Sequence, residues 1–253
     1  MPPTGADASS NIRVVFTVNG RPVPVEARVP DRAVRFDELL PALRQMDDRL
    51  IDAAVAQSEA AGEHVSCSKG CSACCRTQPV PITPPETFAL ARLVDALPEP
   101  RRTAVRSAFA RAAEQLRAAD IYDIYMQRDP ATTREAALAA VRRYMSLALA
   151  CPFLENDACS IYLDRPFVCR QYLVTSPPDL CAAPLDNPVR PVRAPAAFAS
   201  AMLKASEALS GRAQYTVPLV LALDYVAANR SDLERTYEAK AGFGEVMKAL
   251  KEA

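Results

Sequence analysis

The chain is 253 residues long and carries 30 Lys and Arg against 30 Asp and Glu, so it has no net charge with which to gather nucleic acid or an anionic membrane. Half of its residues are apolar and 24% are charged, a composition that excludes wholesale disorder and is long enough to bury a core without disulfides. The unusual feature is eight cysteines beside a single histidine.

The opening segment, "MPPTGADASSN", has no basic stretch followed by an apolar one and reads as a polar leader, not a secretory signal. From Ile12 to Val29, alternating apolar residues flank Asn19-Gly20, a pair that suits a type I′ turn, so 12–29 is a β-hairpin. Everything after it reads as helical. Residues 37–61 place Leu39, Leu43, Met46, Leu50 and Val55 at helical spacing, with Pro41 tolerated near the first turn. Within that helix, "MDDRLID" reads as a solvated face on which Arg49 neutralises Asp47 and Asp48. A cysteine-rich loop follows, then a helix with Thr83 as N-cap, Pro84 at its first position and Glu86 completing a capping box.

Further helices span 101–119, with Val105, Phe109, Ala112 and Leu116 on one face, and 133–150, with Leu138, Val141, Met145 and Leu149 aligned. Pro152 ends the second of these, and Cys151 sits at that end. Tyr122, Tyr125 and Met126 read as a turn or helix face packed on the core. Residues 151–181 show no helical period and contain an Asn156-Asp157 turn, and 176–195 is a proline-rich strap without glycine. Three helices close the chain, at 195–209, at 217–228 and after a capping box at Ser231 to Glu234. The nearest approach to a membrane span, "VPLVLALDYVAA" from Val217, has the length of a buried helix. The expectation is a mainly α protein, one domain over 1–253 with a small N-terminal β-hairpin and C-terminal helices at 195–253. It is expected in the cytoplasm, without nucleic-acid or membrane partners and with a protein partner left open.

In a reducing cytosol eight thiols serve better as ligands than as four bridges. "CSKGCSACC" sets Cys67, Cys71, Cys74 and Cys75 within nine residues. Short spacings of this kind let several sulfurs converge on one ion, and Gly70 gives the chain freedom for the tight turn. Adjacent side chains diverge, so the Cys74-Cys75 pair fits a polynuclear cluster or two separate sites better than one zinc ion. Cys151, Cys159 and Cys169 come at long spacings and are carried to the site by the fold. A thiol-dominated donor set is soft, favouring zinc, Cu(I) or iron–sulfur over magnesium or calcium.

Four thiolates on zinc, or on an oxidised four-iron cluster, leave a charge of about −2. Arg165 and Arg170, which bracket Cys169, are the candidates to compensate it by hydrogen bonds around the cofactor, with Lys69 and Arg76 also near cysteines. His64 reads as a surface histidine. Seven cysteines exceed the four positions of one tetrahedral ion, so the expected centre is an iron–sulfur cluster with spare thiols or a pair of sites, with zinc as the alternative metal.

These residues resemble the YkgJ-type cysteine-cluster family, described as a zinc- or iron-chelating domain. Its pattern of Cys-x2/3-Cys-x2-Cys-Cys, Cys-Pro-x-Leu and Cys-x-Ile-Tyr-x-x-Arg-Pro-x-x-Cys-Arg is matched by Cys67, Cys71, Cys74, Cys75, Cys151-Pro152, Leu154, Cys159, Ile161, Tyr162, Arg165, Pro166, Cys169 and Arg170. The resemblance covers about 64–172 on a domain-size argument and implies metal chelation there, without implying a reaction. Cys181 lies outside the pattern. Flagellin lysine N-methylases carry a similar cluster, which makes an S-adenosylmethionine-dependent protein lysine methyltransferase the alternative function, although a Gly-rich strand-to-helix loop is missing here. Cys67-x3-Cys71-x2-Cys74 also has the spacing of radical S-adenosylmethionine enzymes, but their alternating strands and helices are not apparent. A redox dithiol lacks its βαβ context, and no nucleophile elbow supports Ser-His-Asp chemistry.

Overall fold

The computed structural model describes residues 8–127, 129 and 131–252; residues 1–7 of the polar leader lie outside them. Strands β1 (Ser9–Val18) and β2 (Arg21–Pro30) form the long hairpin, and the rest of the chain is mainly helical. It runs β3 (Ala33–Arg35), α1 (Leu40–Ala60), β4 (Pro81–Ile82), α2 (Pro84–Ala96), α3 (Arg101–Ala118), α4 (Tyr122–Met126), α5 (Arg134–Ser146), β5 (Leu154–Glu155), β6 (Ala158–Cys159), α6 (Phe167–Gln171), α7 (Phe198–Ser210), β7 (Val217–Pro218), α8 (Ala222–Leu233), β8 (Thr236–Glu238) and α9 (Ala239–Lys251). No helix among the described residues is long and apolar enough to cross a membrane.

The hairpin closes because Asn19 and Gly20 both take positive φ, 47° and 79°, as a type I′ turn requires. Strand alternation sends Val18, Val25, Ala27 and Val29 inward, where they meet Leu43, Met46 and Leu50 of α1, Met202 of α7 and Phe243 of α9. This largest core therefore joins the two ends of the chain. A second core, built from Leu90, Val94, Val105, Phe109, Phe153 and Tyr225, lies under the cysteine loops. A third gathers Leu116, Tyr144, Leu149 and Val220 around α3 and α5, with Tyr122, Tyr125 and Met126 packed against it as expected.

Helices do not account for everything after the hairpin. Three short ladders, β3–β8, β4–β7 and β5–β6, tie segments together. Two of them change the predicted helices: pairing of Val217–Pro218 with Pro81–Ile82 delays α8 to Ala222, and pairing of β8 with β3 delays the last helix to Ala239. The capping box at 231–234 starts no helix, because α8 bends at Asn229, whose side-chain amide donates to the Tyr225 carbonyl at 2.9 Å, and continues to Leu233.

α5 stops at Ser146, short of the predicted 150, and Ala148 turns left-handed with φ 48°. Cys151 thus lies in a loop beyond the helix. The buried residues of α5 are Ala140 and Tyr144, while Leu138 is exposed; burying the larger tyrosine ring turns the leucine outward. Residues 151–181 are not free of helix either, since α6 forms directly after Pro166. The proline-rich strap carries a 3-10 turn at Pro178–Ala182 and returns through a Val174–Pro191 bridge.

Asp47 is a further correction. It is fully buried rather than solvated, and it accepts from Gln171 Nε2 at 2.7 Å. Burial pushes its carboxyl up to about 7. Asp48 remains at the surface, where it receives the buried Arg170 at 2.5 Å.

Candidate metal centre

The first cysteine loop is held at its base by Ser66, whose N–H donates to the Val174 carbonyl at 2.9 Å and whose hydroxyl donates to the Ser176 carbonyl at 2.5 Å. Gly70 takes φ 93°, a conformation open to glycine, and lets Cys71 N–H reach back to Ser68 at 3.0 Å. The chain then coils into a 3-10 turn over Cys74–Arg76. Beyond it, Thr77 and Gln78 donate to the carbonyls of Ala182 and Cys181 at 3.0 and 2.9 Å, fastening the loop to the strap.

The second region begins with a backbone bond to the first: Cys151 N–H donates to the Cys75 carbonyl at 2.7 Å. Asn156 and Asp157 are both left-handed and turn β5 into β6, which carries Cys159. Phe153 anchors this hairpin from below, fully buried and edge-on to Phe109 at 5.6 Å. Asp157 at the tip accepts from Ser72 at 3.3 Å and pairs with Arg76. Cys169 rides on α6, whose first N–H, from Phe167, donates to the buried Glu86 at 2.7 Å. The other oxygen of Glu86 closes the predicted capping box, accepting from Thr83 N–H and hydroxyl, each at 2.8 Å.

All seven predicted thiols, Cys67, Cys71, Cys74, Cys75, Cys151, Cys159 and Cys169, line one cavity of about 580 Å³. Apolar residues including Leu149, Val168, Leu219 and Val220 complete its wall, and Lys69 and Arg165 supply positive charge. Among the described residues no group of three Cys, His, Asp or Glu side chains is placed to hold a metal ion as it stands. A soft, thiol-rich wall fits zinc or iron in its chemistry.

Within the tight 3-10 turn, the Cys74 thiol donates to the Cys75 sulfur, which holds Cys75 below the usual thiol range with help from the Arg165 and Arg76 cations and raises Cys74. Electrostatically, Cys75 is coupled to Cys151, Cys159 and Cys169, whereas Cys74 also feels Cys71 in the first loop. Burial raises Cys67, Cys159 and Cys169 and pushes Cys151 up to about 12. Metal binding must displace those protons.

Arg165 lies at the thiols, its guanidinium 3.7 Å over the Tyr162 ring and one nitrogen 3.4 Å from the Cys169 carbonyl. Arg170 is elsewhere: it is buried, bonded to the carbonyls of Leu163 and Arg165 and to Asp48, and is absent from the cavity wall. It clamps the 162–165 turn to α1. His64 is exposed and also outside the wall. Cys181 is the buried residue of the strap's own 3-10 turn, with Tyr172 donating to its sulfur.

A family model matches residues 66–184. These residues are similar to the CxxCxxCC family. Its description reads "Putative zinc- or iron-chelating domain". The CxxCxxCC match takes in every thiol of the wall and Cys181, and leaves the hairpin, α1 and α7 to α9 outside. Neither a curated protein nor a solved structure matches the chain. Sequence reasoning missed Glu86 as the anchor of α6 and the wall residues Tyr144, Leu219 and Val220. The capping box was a visible signal for the first, while nothing local marks the others.

Proposed function

We propose that the chain holds a thiolate-ligated metal centre between its two cysteine regions, with iron–sulfur favoured over zinc and an electron-transfer or structural role. The observation that carries this is one cavity wall bearing all seven cysteines, with no single-ion cage among the described residues. Cys67, Cys71, Cys74, Cys75, Cys151, Cys159 and Cys169 form the ligand pool. A cluster there would supply one-electron chemistry, and zinc would supply a redox-silent clasp. Arg165 offsets the negative charge that ionised thiols build up, and the apolar wall keeps water from competing for the ligands.

The whole chain is taken as one domain, because its largest core draws on residues from both ends. A reducing compartment suits the eight free thiols, in keeping with the cytoplasm. The test is elemental analysis of protein purified without oxygen, reporting iron, zinc, copper and acid-labile sulfide per chain. Several irons with matching sulfide support the cluster. Zinc without sulfide converts the centre to a clasp or carrier, and a chain that retains no metal overturns the proposal.

A further inference from the structure

The N-terminal hairpin carries a surface that a metal centre does not use. In a two-residue hairpin the residues flanking the turn, here Val18 and Arg21, form a hydrogen-bonded pair, and bonded and unbonded pairs alternate from there. Ile12, Val14 and Phe16 accordingly bond across to Ala27, Val25 and Val23, while the backbone groups of Asn11, Arg13, Val15 and Thr17 point away from β2. On β2 the outward positions are Pro22, Pro24, Glu26, Arg28 and Pro30. Three of these lack an N–H, which closes that edge to another strand.

β1 has no such guard. It contains neither proline nor lysine, and among the described residues no hydrogen bond from another element reaches the outward backbone groups of Asn11, Arg13, Val15 and Thr17. Val15 is 60% exposed, and Ile12, Val14 and Phe16 on the inner face are only partly covered. An edge of this kind is a template for strand pairing.

The sequence of β1 is complementary to itself in a register centred on Val14. Antiparallel pairing centred on Arg13 sets two guanidinium groups opposite each other, and pairing centred on Ile12 sets Ser10 against Val14 on the inner face. Centring on Val14 avoids both. Arg13 then faces Val15 and Asn11 faces Thr17 in hydrogen-bonded pairs, while Val14 meets Val14 and Ile12 meets Phe16 over the core. We propose that the chain forms a twofold dimer through β1, joining two hairpins into one four-stranded antiparallel sheet centred on Val14.

Sedimentation of the full-length chain over a concentration series tests this, with a monomer mass of 27.4 kDa as reference. The wild type is expected at twice that mass. Val15→Pro removes an outward N–H without touching the hairpin's own bonds and should give a monomer with an unchanged far-ultraviolet spectrum. Val15→Lys sets a lysine against Arg13 twice per dimer and should weaken association roughly tenfold or more. Arg13→Glu combined with Val15→Lys, in a chain that also carries Glu26→Arg so that the charges facing each other across the hairpin at positions 13 and 26 stay opposite, turns both repulsive pairs into attractive ones and should restore the dimer. A wild type that stays monomeric, a dimer that survives both Val15 substitutions, or a failure of this combined variant to rescue overturns the proposal.

Discussion

Replacing Glu86 by alanine should damage the fold and the metal centre together. Its carboxyl accepts from three donors, the Thr83 N–H, the Thr83 hydroxyl and the Phe167 N–H, at 2.7–2.8 Å, and Thr83, Glu86 and Phe167 are all fully buried. Leaving three buried donors unpaired, at roughly 1.5 kcal/mol each, costs about 4–5 kcal/mol. For a chain of this size that is a fall in Tm of about 8–10 °C. Glu86→Gln keeps one acceptor and should lose about half as much. Because Phe167 is the first residue of the helix that carries Cys169, the alanine variant should also bind less metal per folded chain. Denaturant titration and metal analysis of both variants provide the check. If Glu86→Ala lies within about 1 kcal/mol of the wild type with full metal content, the capping box does not anchor the cysteine helix and the reasoning fails.

The remaining predictions concern titration and ligands. In demetallated protein at pH 7.5, iodoacetamide should label Cys75 first and Cys151 and Cys169 last, following the lowered and raised thiols described above; mass spectrometry showing the reverse order would refute that electrostatic picture. Asp47 has a folded-state value raised to about 7 from 3.8, so its contribution to stability is full below about pH 4 and is lost as pH rises through 7. Asp47→Asn should flatten that slope in urea titrations made across the interval, and an unaltered slope would assign it to other groups. Saturating S-adenosylmethionine should leave Tm unchanged if the centre is not part of a methyltransferase; a rise of several degrees would favour the methyltransferase instead.

Local signals in the sequence carry far. Asn19-Gly20 marks the hairpin turn and Thr83 with Glu86 marks the start of α2, because both depend on residues within three positions of each other. The clustered cysteines and the later Cys-Pro, Arg-Pro and Cys-Arg elements identify the wall of thiols for a different reason, as a match of residue types at fixed positions. What the sequence hides is decided by partners far along the chain. Thr236–Glu238 becomes a strand only because Ala33–Arg35 offers an edge, and Asp47 is buried only because Gln171 arrives to hydrogen-bond it. Arg170 shows the same limit: beside Cys169 in sequence, it faces α1 across the fold. Helical periodicity also misjudged α5, where a tyrosine outweighs the leucine pattern.

The bond from Cys151 N–H to the Cys75 carbonyl bears on how a ligand would enter. These residues are 76 positions apart (151 minus 75), and the length-dependent entropy of closing a loop of about that size is roughly 4 kcal/mol. Phe153 in the second core and the Asp157 contacts with Ser72 and Arg76 help hold the loop shut. An incoming ion or cluster would therefore meet a mouth already drawn together by the polypeptide. Its binding free energy would go into displacing protons and drawing sulfurs inward, so removing and restoring it should be reversible without refolding the chain.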